Sequence, residues 1–215
     1  MPARPAAVIF DMDGLLFDSE ILARDAILAA ARDLGHSYTA DDFLTLVGRP
    51  WSANRITLQA HIGPAGDVDA FRAAWLRHHD AMRASLALKA GAREILDRLD
   101  ALGLPRAICT SSRHEDVRHN LGLHALEGRF DAVIAAGDYA RGKPAPDPFL
   151  RAAEVLGVAP EDCLALEDSH NGIRAAAAAG MRTVMVPDLL PATEEIRRLC
   201  HRVAADLHEV CLLLR

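Results

Sequence analysis

The pattern of apolar and polar positions changes character twice along the chain. Residues 6–10 form an apolar run that predicts a short, fully buried strand, and acidic residues follow it directly. From residue 20 onward apolar positions recur with the helical period, and glycines interrupt them. The predicted helices are 20–34, 41–47, 52–61 and 67–84. No strand is predicted between residues 15 and 88, so we expect this part of the chain to be all helical.

Helices and strands are predicted to alternate after Gly91. The helices are 92–102, 113–121, 147–157 and 171–179, and the strands are 106–110, 131–136, 163–167 and 182–186. Residues 202–206 add a candidate edge strand, followed by a short helix. This alternation indicates βαβ units and an α/β fold around a parallel sheet. In open sheets of this kind, ligands bind beyond the carboxyl ends of the strands.

Composition and charge narrow the range of partners. The chain has 215 residues, enough to bury a core, and no apolar stretch reaches the length of a membrane span. Its net charge of −6 argues against nucleic acid as a partner. The four cysteines show no metal-ligand spacing and are expected to be reduced. Because the chain runs directly into its first strand, we expect no secretory peptide, and the reduced cysteines indicate a cytoplasmic compartment. The expected state is a monomer, with a weak dimer as the alternative.

The candidate chemistry begins at the end of the first strand. Asp11 and Asp13 are separated by one residue, and Gly14 follows them. Two carboxylates this close repel each other unless a cation or a shared proton compensates. Mg²⁺ commonly combines one or two carboxylates with substrate phosphate and water. The pattern therefore favours a metal-dependent reaction on a phosphate with one Asp as nucleophile, and a polar exit from the strand is the alternative.

Three later segments also carry polar side chains at positions where chemistry is expected. An apolar run leads into hydroxyls at residues 110–112, and another leads into carboxylates at residues 167–168. Lys143 lies between a glycine and a proline in a predicted loop. Among the 24 basic residues, only Lys89 and Lys143 are lysines. A lysine in this loop therefore indicates a functional role, because its compact ammonium differs from a guanidinium in reach and hydration.

With these segments in this order, the chain resembles the haloacid dehalogenase (HAD) superfamily of phosphohydrolases and phosphomutases, from residue 6 to about residue 187. The stretches Asp-Met-Asp-Gly-Leu-Leu-Phe-Asp-Ser-Glu and Glu-Asp-Ser-His-Asn-Gly-Ile-Arg-Ala-Ala are typical of the branch with β-phosphoglucomutase and small sugar-phosphate phosphatases. The resemblance implies a Rossmann-like parallel-sheet core formed by residues 1–14 and 89–215. It also implies an inserted all-helical cap domain of the C1 type over residues 15–88.

The resemblance implies a role for each acidic residue. Asp11 would be the nucleophile that becomes a transient aspartyl phosphate, and Asp13 would be the general acid and base. Mg²⁺ would be held by Asp11, by the backbone carbonyl of Asp13 and by Asp168. Glu167 would orient metal-bound water or bind the metal directly.

The same resemblance assigns phosphate binding to Thr110, Ser111 and Lys143. A helix N-cap is the alternative for Thr110, although Ser112 is the better candidate for a cap there. Four further residues are expected to contact the substrate: Arg49, Trp51, Arg113 and His114. Packing between helices of the cap is the alternative for Trp51.

Single residues separate the reactions of the superfamily. Dehalogenases lack the second Asp of the first motif, so Asp13 argues against that chemistry. A phosphonatase needs a cap lysine, and residues 15–88 contain none. β-Phosphoglucomutase has a histidine where ungapped alignment places Ala23.

These differences predict a Mg²⁺-dependent phosphatase. Its substrate would be a small phosphorylated metabolite: a sugar phosphate, or a compound similar to phosphoglycolate or to a nucleoside monophosphate. A phosphomutase of the β-phosphoglucomutase type is the alternative. A non-catalytic ligand-binding protein on the same fold is a less favoured third, kept because a fold does not determine a function.

Overall fold

A computed structural model describes residues 4–49 and 51–214, and the chain divides into two compact units. The sheet unit comprises Met1–Asp18 and Ala87–Arg215, and the helical unit comprises Ser19–Leu86. Residues 15–18 and 87–88, predicted as part of the helical insert, belong to the sheet unit. The reason is local, because Phe17 is fully buried and forms isolated β-bridges with Asp13 and Leu88.

The described residues of the helical unit form four α-helices. They are α1 (Ser19–Asp33), α2 (Ala40–Leu44), α3 (Trp51–Ile62) and α4 (Val68–Met82), with a 3-10 turn over Arg83–Ser85. Helices α1 and α4 pack against each other, and the indole N–H of Trp75 donates to the Ala23 carbonyl at 2.9 Å. Helix α2 ends earlier than predicted, because residues 45–48 form a turn rather than a further helical turn.

The sheet unit contains a six-stranded parallel sheet, which confirms the predicted α/β fold. The strands are β1 (Ala7–Phe10), β2 (Arg106–Cys109), β3 (Ala132–Ile134), β4 (Cys163–Glu167), β5 (Arg182–Met185) and β6 (Arg202–Val203). Their order across the sheet is β3-β2-β1-β4-β5-β6. In register, Ile9 of β1 stands between Ala107 of β2 and Ala165 of β4. The chain order reverses between β1 and β4, and a reversal of this kind is where doubly wound sheets bind their ligands.

Helices of the sheet unit alternate with these strands. They are α5 (Ala92–Leu102), α6 (His114–Leu123), α7 (Asp147–Leu156), α8 (His170–Ala178), α9 (Glu194–Leu199) and α10 (Leu207–Leu213), with a 3-10 turn over Pro160–Asp162. Phe149 of α7 and Ala175 and Ala176 of α8 are fully buried in one apolar cluster with Ile9. Helix α9 was not predicted, because six residues are too few to show a helical period. Within the described residues, no helix has the length and apolar character that a membrane span requires.

Candidate active site

Strand β1 places Asp11 at the carboxyl edge of the sheet, beside β4. Every residue of β1 is fully buried, and the Asp11 amide donates to the Leu166 carbonyl of β4 at 2.9 Å. The chain then turns sharply, because the amides of Leu16 and Phe17 donate to the Met12 carbonyl at 3.0 and 3.2 Å. A buried strand and a tight hydrogen-bonded loop therefore hold the first acidic motif in place.

Lys143 provides the cation at the centre of this edge. Its ammonium lies 2.5 Å from Asp11 Oδ1, 2.5 Å from Glu167 Oε1 and 2.9 Å from the Cys109 carbonyl oxygen. The lysine side chain is 7% exposed. Burial alone would lower the pKa of Lys143, but the attraction of Asp11 and Glu167 is stronger, and the pKa is raised well above its ordinary value. The ends of β1 and β4 thus share one buried positive charge.

The two carboxylates bound to Lys143 have different surroundings. Burial raises the pKa of Asp11 to about 8; Lys143 opposes this rise, whereas Glu167 and Asp13 add to it. A cation near Asp11 would favour its ionised form. Glu167 is fully buried, and its Oε2 accepts hydrogen bonds from the Ser169 amide at 3.0 Å and the Ser169 hydroxyl at 2.9 Å. Both oxygens of Glu167 are therefore hydrogen-bonded within the protein.

Asp168 completes an acidic group that fits a metal ion. One carboxylate oxygen from each of Asp11, Glu167 and Asp168 lies within 4.8 Å of the other two. A donor set made only of oxygens suits Mg²⁺, which completes its octahedral shell with water and substrate. The Asp13 carboxylate is not part of this group, so only its backbone carbonyl remains for the predicted metal contact.

The Asp13 carboxylate instead meets the hydroxyls that follow β2. Its Oδ2 accepts from Ser112 Oγ at 2.6 Å and from Thr110 Oγ1 at 3.4 Å, and Thr110 Oγ1 accepts from the Ser112 amide at 3.0 Å. The helix-cap alternative, for which Ser112 was the better candidate, does not hold: Arg113 occupies the N-cap position of α6 and makes no side-chain cap bond. Ser112 is thus a site residue that the sequence analysis missed, and its only signal was its place after a buried strand.

The structure separates the predicted phosphate-binding residues into two groups. Thr110 and Lys143 lie beside the two catalytic candidates. Thr110 is buried just after β2 and contacts Asp13, and Lys143 contacts Asp11. Ser111 is exposed, so it lies outside this buried group. The neighbouring Tyr139 hydroxyl donates to the Thr110 carbonyl at 3.2 Å.

The predicted specificity residues of the sheet unit are exposed, and each contacts a carboxylate. Arg113 lies 3.3 Å from Asp116, and the His114 ring lies 2.8 Å from Asp138. Asp138 also accepts a hydrogen bond from the Ala135 amide at 2.9 Å. That amide, followed by His114, holds the pKa of Asp138 below its ordinary value.

The other two specificity candidates lie in the helical unit, on either side of a residue outside the described ranges. The guanidinium of Arg49 donates to the Thr45 carbonyl at 2.9 Å and to the Thr57 hydroxyl at 3.1 Å. The Trp51 ring is half-buried, with the Arg72 guanidinium 4.1 Å from its centre. This cation–π contact is a further interaction that the apolar pattern did not reveal.

Comparison with known proteins gives relatives across most of the chain. Protein CbbY of Rhodobacter capsulatus is 35% identical over 192 residues, which are 84% of this chain and 85% of that protein. Fructose-1-phosphate phosphatase YqaB of Escherichia coli is 33% identical over 198 residues, 86% of this chain and 98% of that protein. The chain also matches a much longer Arabidopsis thaliana protein, SUPPRESSOR OF QUENCHING 1, of which it spans 18%.

Solved structures show the same architecture. A HAD family hydrolase from Deinococcus radiodurans, crystallised with bound phosphate and sodium, superposes with a TM-score of 0.83 at 26% identity. The match covers 97% of this chain and 94% of that one. The family described as haloacid dehalogenase-like hydrolase matches residues 5–180. The chain therefore belongs to the haloacid dehalogenase-like hydrolase family, as its motifs predict.

Proposed function

We propose that the protein is a Mg²⁺-dependent phosphatase that hydrolyses a small phosphorylated metabolite through an aspartyl phosphate on Asp11. The observation that carries this proposal is the buried Lys143 ammonium, which joins Asp11 to Glu167 at the point where the strand order reverses. Asp168 lies in the same acidic group. A phosphoryl group bound there would contact the nucleophile Asp11 and the ammonium of Lys143. Asp11 and Asp168 would also hold the metal ion, and phosphoryl transfer requires positioning and charge stabilisation of this kind.

The reaction has two steps. A carboxylate oxygen of Asp11 bonds to phosphorus while the bond to the leaving oxygen breaks, and protonated Asp13 gives its proton to that oxygen. Water then attacks phosphorus, Asp13 takes a proton from this water, and the bond between phosphorus and Asp11 breaks. Inorganic phosphate leaves and both residues return to their starting states. The hydroxyls of Ser112 and Thr110 support this role, because they hydrogen-bond to the Asp13 carboxylate and orient it.

The residues around the acidic group would bind the metal ion and stabilise the charge of the phosphoryl group. Asp11, Asp168 and the backbone carbonyl of Asp13 would hold Mg²⁺, which when bound neutralises charge on the phosphoryl oxygens. Glu167 already hydrogen-bonds to Lys143 and Ser169 through its two oxygens, so we assign it the task of fixing Lys143. Lys143 in turn would stabilise the negative charge of the phosphoryl group.

The names of relatives favour a sugar phosphate among the predicted substrate classes. YqaB is named a fructose-1-phosphate phosphatase, and the Deinococcus hydrolase holds phosphate. Of the substrate-contact candidates, Arg113 and His114 are already paired with carboxylates, and a second anionic group on the substrate would have to compete for them. For Arg49 and Trp51, alanine variants should change the preference among esters more than the turnover of p-nitrophenyl phosphate.

The alternative of a phosphomutase differs in how long the aspartyl phosphate must survive. A mutase has to keep water away until its intermediate is phosphorylated again. In this chain Ala23 stands where the mutase has its histidine, and the Ala23 carbonyl accepts the hydrogen bond from Trp75. A methyl side chain offers no group for proton transfer there, and this favours the phosphatase.

The proposal is tested by phosphate release from p-nitrophenyl phosphate with and without Mg²⁺. We expect activity that depends on Mg²⁺, that is absent in Asp11→Asn, and that is unchanged in the surface control Asp97→Asn. Residual turnover in Asp11→Asn close to that of the wild type would remove Asp11 from the nucleophile role. Conversion of β-glucose 1-phosphate to glucose 6-phosphate with little phosphate release would show the mutase reaction instead.

A further inference from the structure

Asp188, just after β5, carries a buried oxygen with no partner. Its side chain is 6% exposed, and its Oδ1 accepts from the Lys89 ammonium at 2.7 Å. Its Oδ2 is fully buried and has no hydrogen-bond donor within reach in the part of the chain that the structure describes. An unsatisfied buried acceptor destabilises the folded protein, so such an atom in a native protein calls for an explanation, often a missing water or ion.

The unpartnered oxygen lies at the edge of the proposed metal site. Gly14, in the loop after β1, has a φ of +81°, and a Cβ placed on it would stand 2.9 Å from Asp168 Cγ and 3.2 Å from Asp188 Oδ2. The carboxyl groups of Asp168 and Asp188 therefore border the same small space above Gly14. Only a residue without a side chain leaves this space open.

Lys89 holds Asp188 in this orientation from the opposite side. The ammonium bridges Asp188 and Asp18, with 3.2 Å to Asp18 Oδ1, and the lysine side chain is 24% exposed. The Lys89 amide is also fixed, because it donates to the Leu16 carbonyl at 2.9 Å. With Oδ1 of Asp188 committed to Lys89, only Oδ2 remains to serve the space beside Asp168.

We propose that Asp188 is an outer carboxylate of the metal site, whose Oδ2 accepts a hydrogen bond from a water bound to the cation at Asp11 and Asp168. Lys89 is the residue that positions it. The inference rests on the proposed Mg²⁺ site, and it concerns residues outside the four motifs of the resemblance. Carboxylates that hydrogen-bond to metal-bound groups orient the inner ligands, and their loss commonly weakens metal binding by about 10–100-fold.

The test measures Mg²⁺ binding by calorimetry without substrate. Asp188→Ala removes the acceptor, and Asp188→Asn leaves its oxygen on Lys89 and turns an NH₂ donor toward the space beside Asp168. We expect both variants to raise the Mg²⁺ dissociation constant by about 10-fold or more. Asp18→Asn is the matched control, because it also removes a carboxylate from Lys89 but leaves the Asp188 carboxylate beside Gly14 in place; we expect its Mg²⁺ affinity to stay within about twofold of the wild type.

Kinetics and melting separate positioning from folding. In Asp188→Asn the Mg²⁺ concentration for half-maximal activity should rise with the dissociation constant, while kcat at saturating Mg²⁺ should fall far less. The melting temperature without Mg²⁺ should stay close to that of the wild type, with a smaller increase on adding Mg²⁺.

Two results would overturn this inference in different ways. Wild-type Mg²⁺ affinity in both Asp188 variants would remove Asp188 from the metal site and leave the proposed phosphatase intact. A wild-type protein that binds no Mg²⁺ would overturn the metal site together with the role of Asp188.

Discussion

Gly172 offers a direct test of how tightly the Glu167 carboxylate is packed. The glycine lies in the first turn of α8, is buried, and its amide donates to Ser169 Oγ at 3.0 Å. A Cβ added at Gly172 would overlap the Glu167 carboxyl group, which is fully buried and hydrogen-bonded to Lys143. The change Gly172→Ala therefore forces Glu167 to move away from its place beside Lys143.

The magnitude follows from opposing effects. Alanine is favoured over glycine in a helix by about 1 kcal/mol. Overpacking a close-packed site costs about 1–3 kcal/mol, and a full break of a buried ion pair costs about 3–5 kcal/mol. A partial shift of Glu167 gives a net loss of about 2 kcal/mol. At about 2–4 °C for each kcal/mol in a chain of this size, the melting temperature should fall by roughly 4–8 °C.

The assay is thermal unfolding followed by circular dichroism, with Gly122→Ala as the control. Gly122 is exposed in α6, and a Cβ there would meet only the end of the Glu127 side chain at 3.2 Å. That control should be neutral or more stable by up to about 1 kcal/mol, with unchanged phosphatase activity. Gly172→Ala should also lose more than about tenfold in kcat, because Lys143 loses one of its two carboxylate partners. Equal stability of the two variants would refute the argument, since Glu167 would then move without cost.

Three further predictions follow from the site and its rim. Asp13→Asn should slow the hydrolysis of an alkyl phosphate by about 10²–10⁴-fold and that of p-nitrophenyl phosphate less, because a good leaving group needs little protonation. Equal losses in the steady-state rates of both substrates would place the defect in a shared step such as dephosphorylation. Ser112→Ala should show the same pattern at about tenfold, since Asp13 loses its 2.6 Å donor, and Ser112→Thr should restore the rate if the hydroxyl is what matters. Asp138→Asn should be less stable than the wild type at pH 7 in urea unfolding. The lowered pKa of Asp138 stabilises the fold above about pH 4, and this stabilisation is lost as pH falls through the pKa of the folded state. The free energies of unfolding of the two proteins should therefore become equal in acid. A difference that stays constant with pH would exclude the carboxylate charge as the cause.

Local patterns in the sequence predict most of the helices and strands, and the motifs predict the family. Apolar periodicity is a local property, so it located β1, β4 and the long helices of the helical unit within a few residues. The acidic pairs at the ends of β1 and β4 were visible for the same reason, since each follows directly on a buried run. Local signals were weaker where elements are short: α9 was missed, and β6 is shorter than the predicted 202–206.

The contacts between groups that are distant in sequence could not be predicted from local patterns. Lys143 and Asp11 are 132 residues apart in sequence, and Lys89 and Asp188 are 99 apart. Their pairing depends on the strand order, which brings the loops after β1, β3, β4 and β5 to one edge of the sheet. The hydroxyl of Ser112 looked like a helix cap because a cap is a local contact, whereas its actual partner arrives from another strand. The sequence shows the chemical type of each side chain, but its hydrogen-bond partner often belongs to a distant segment that is brought close only when the chain folds.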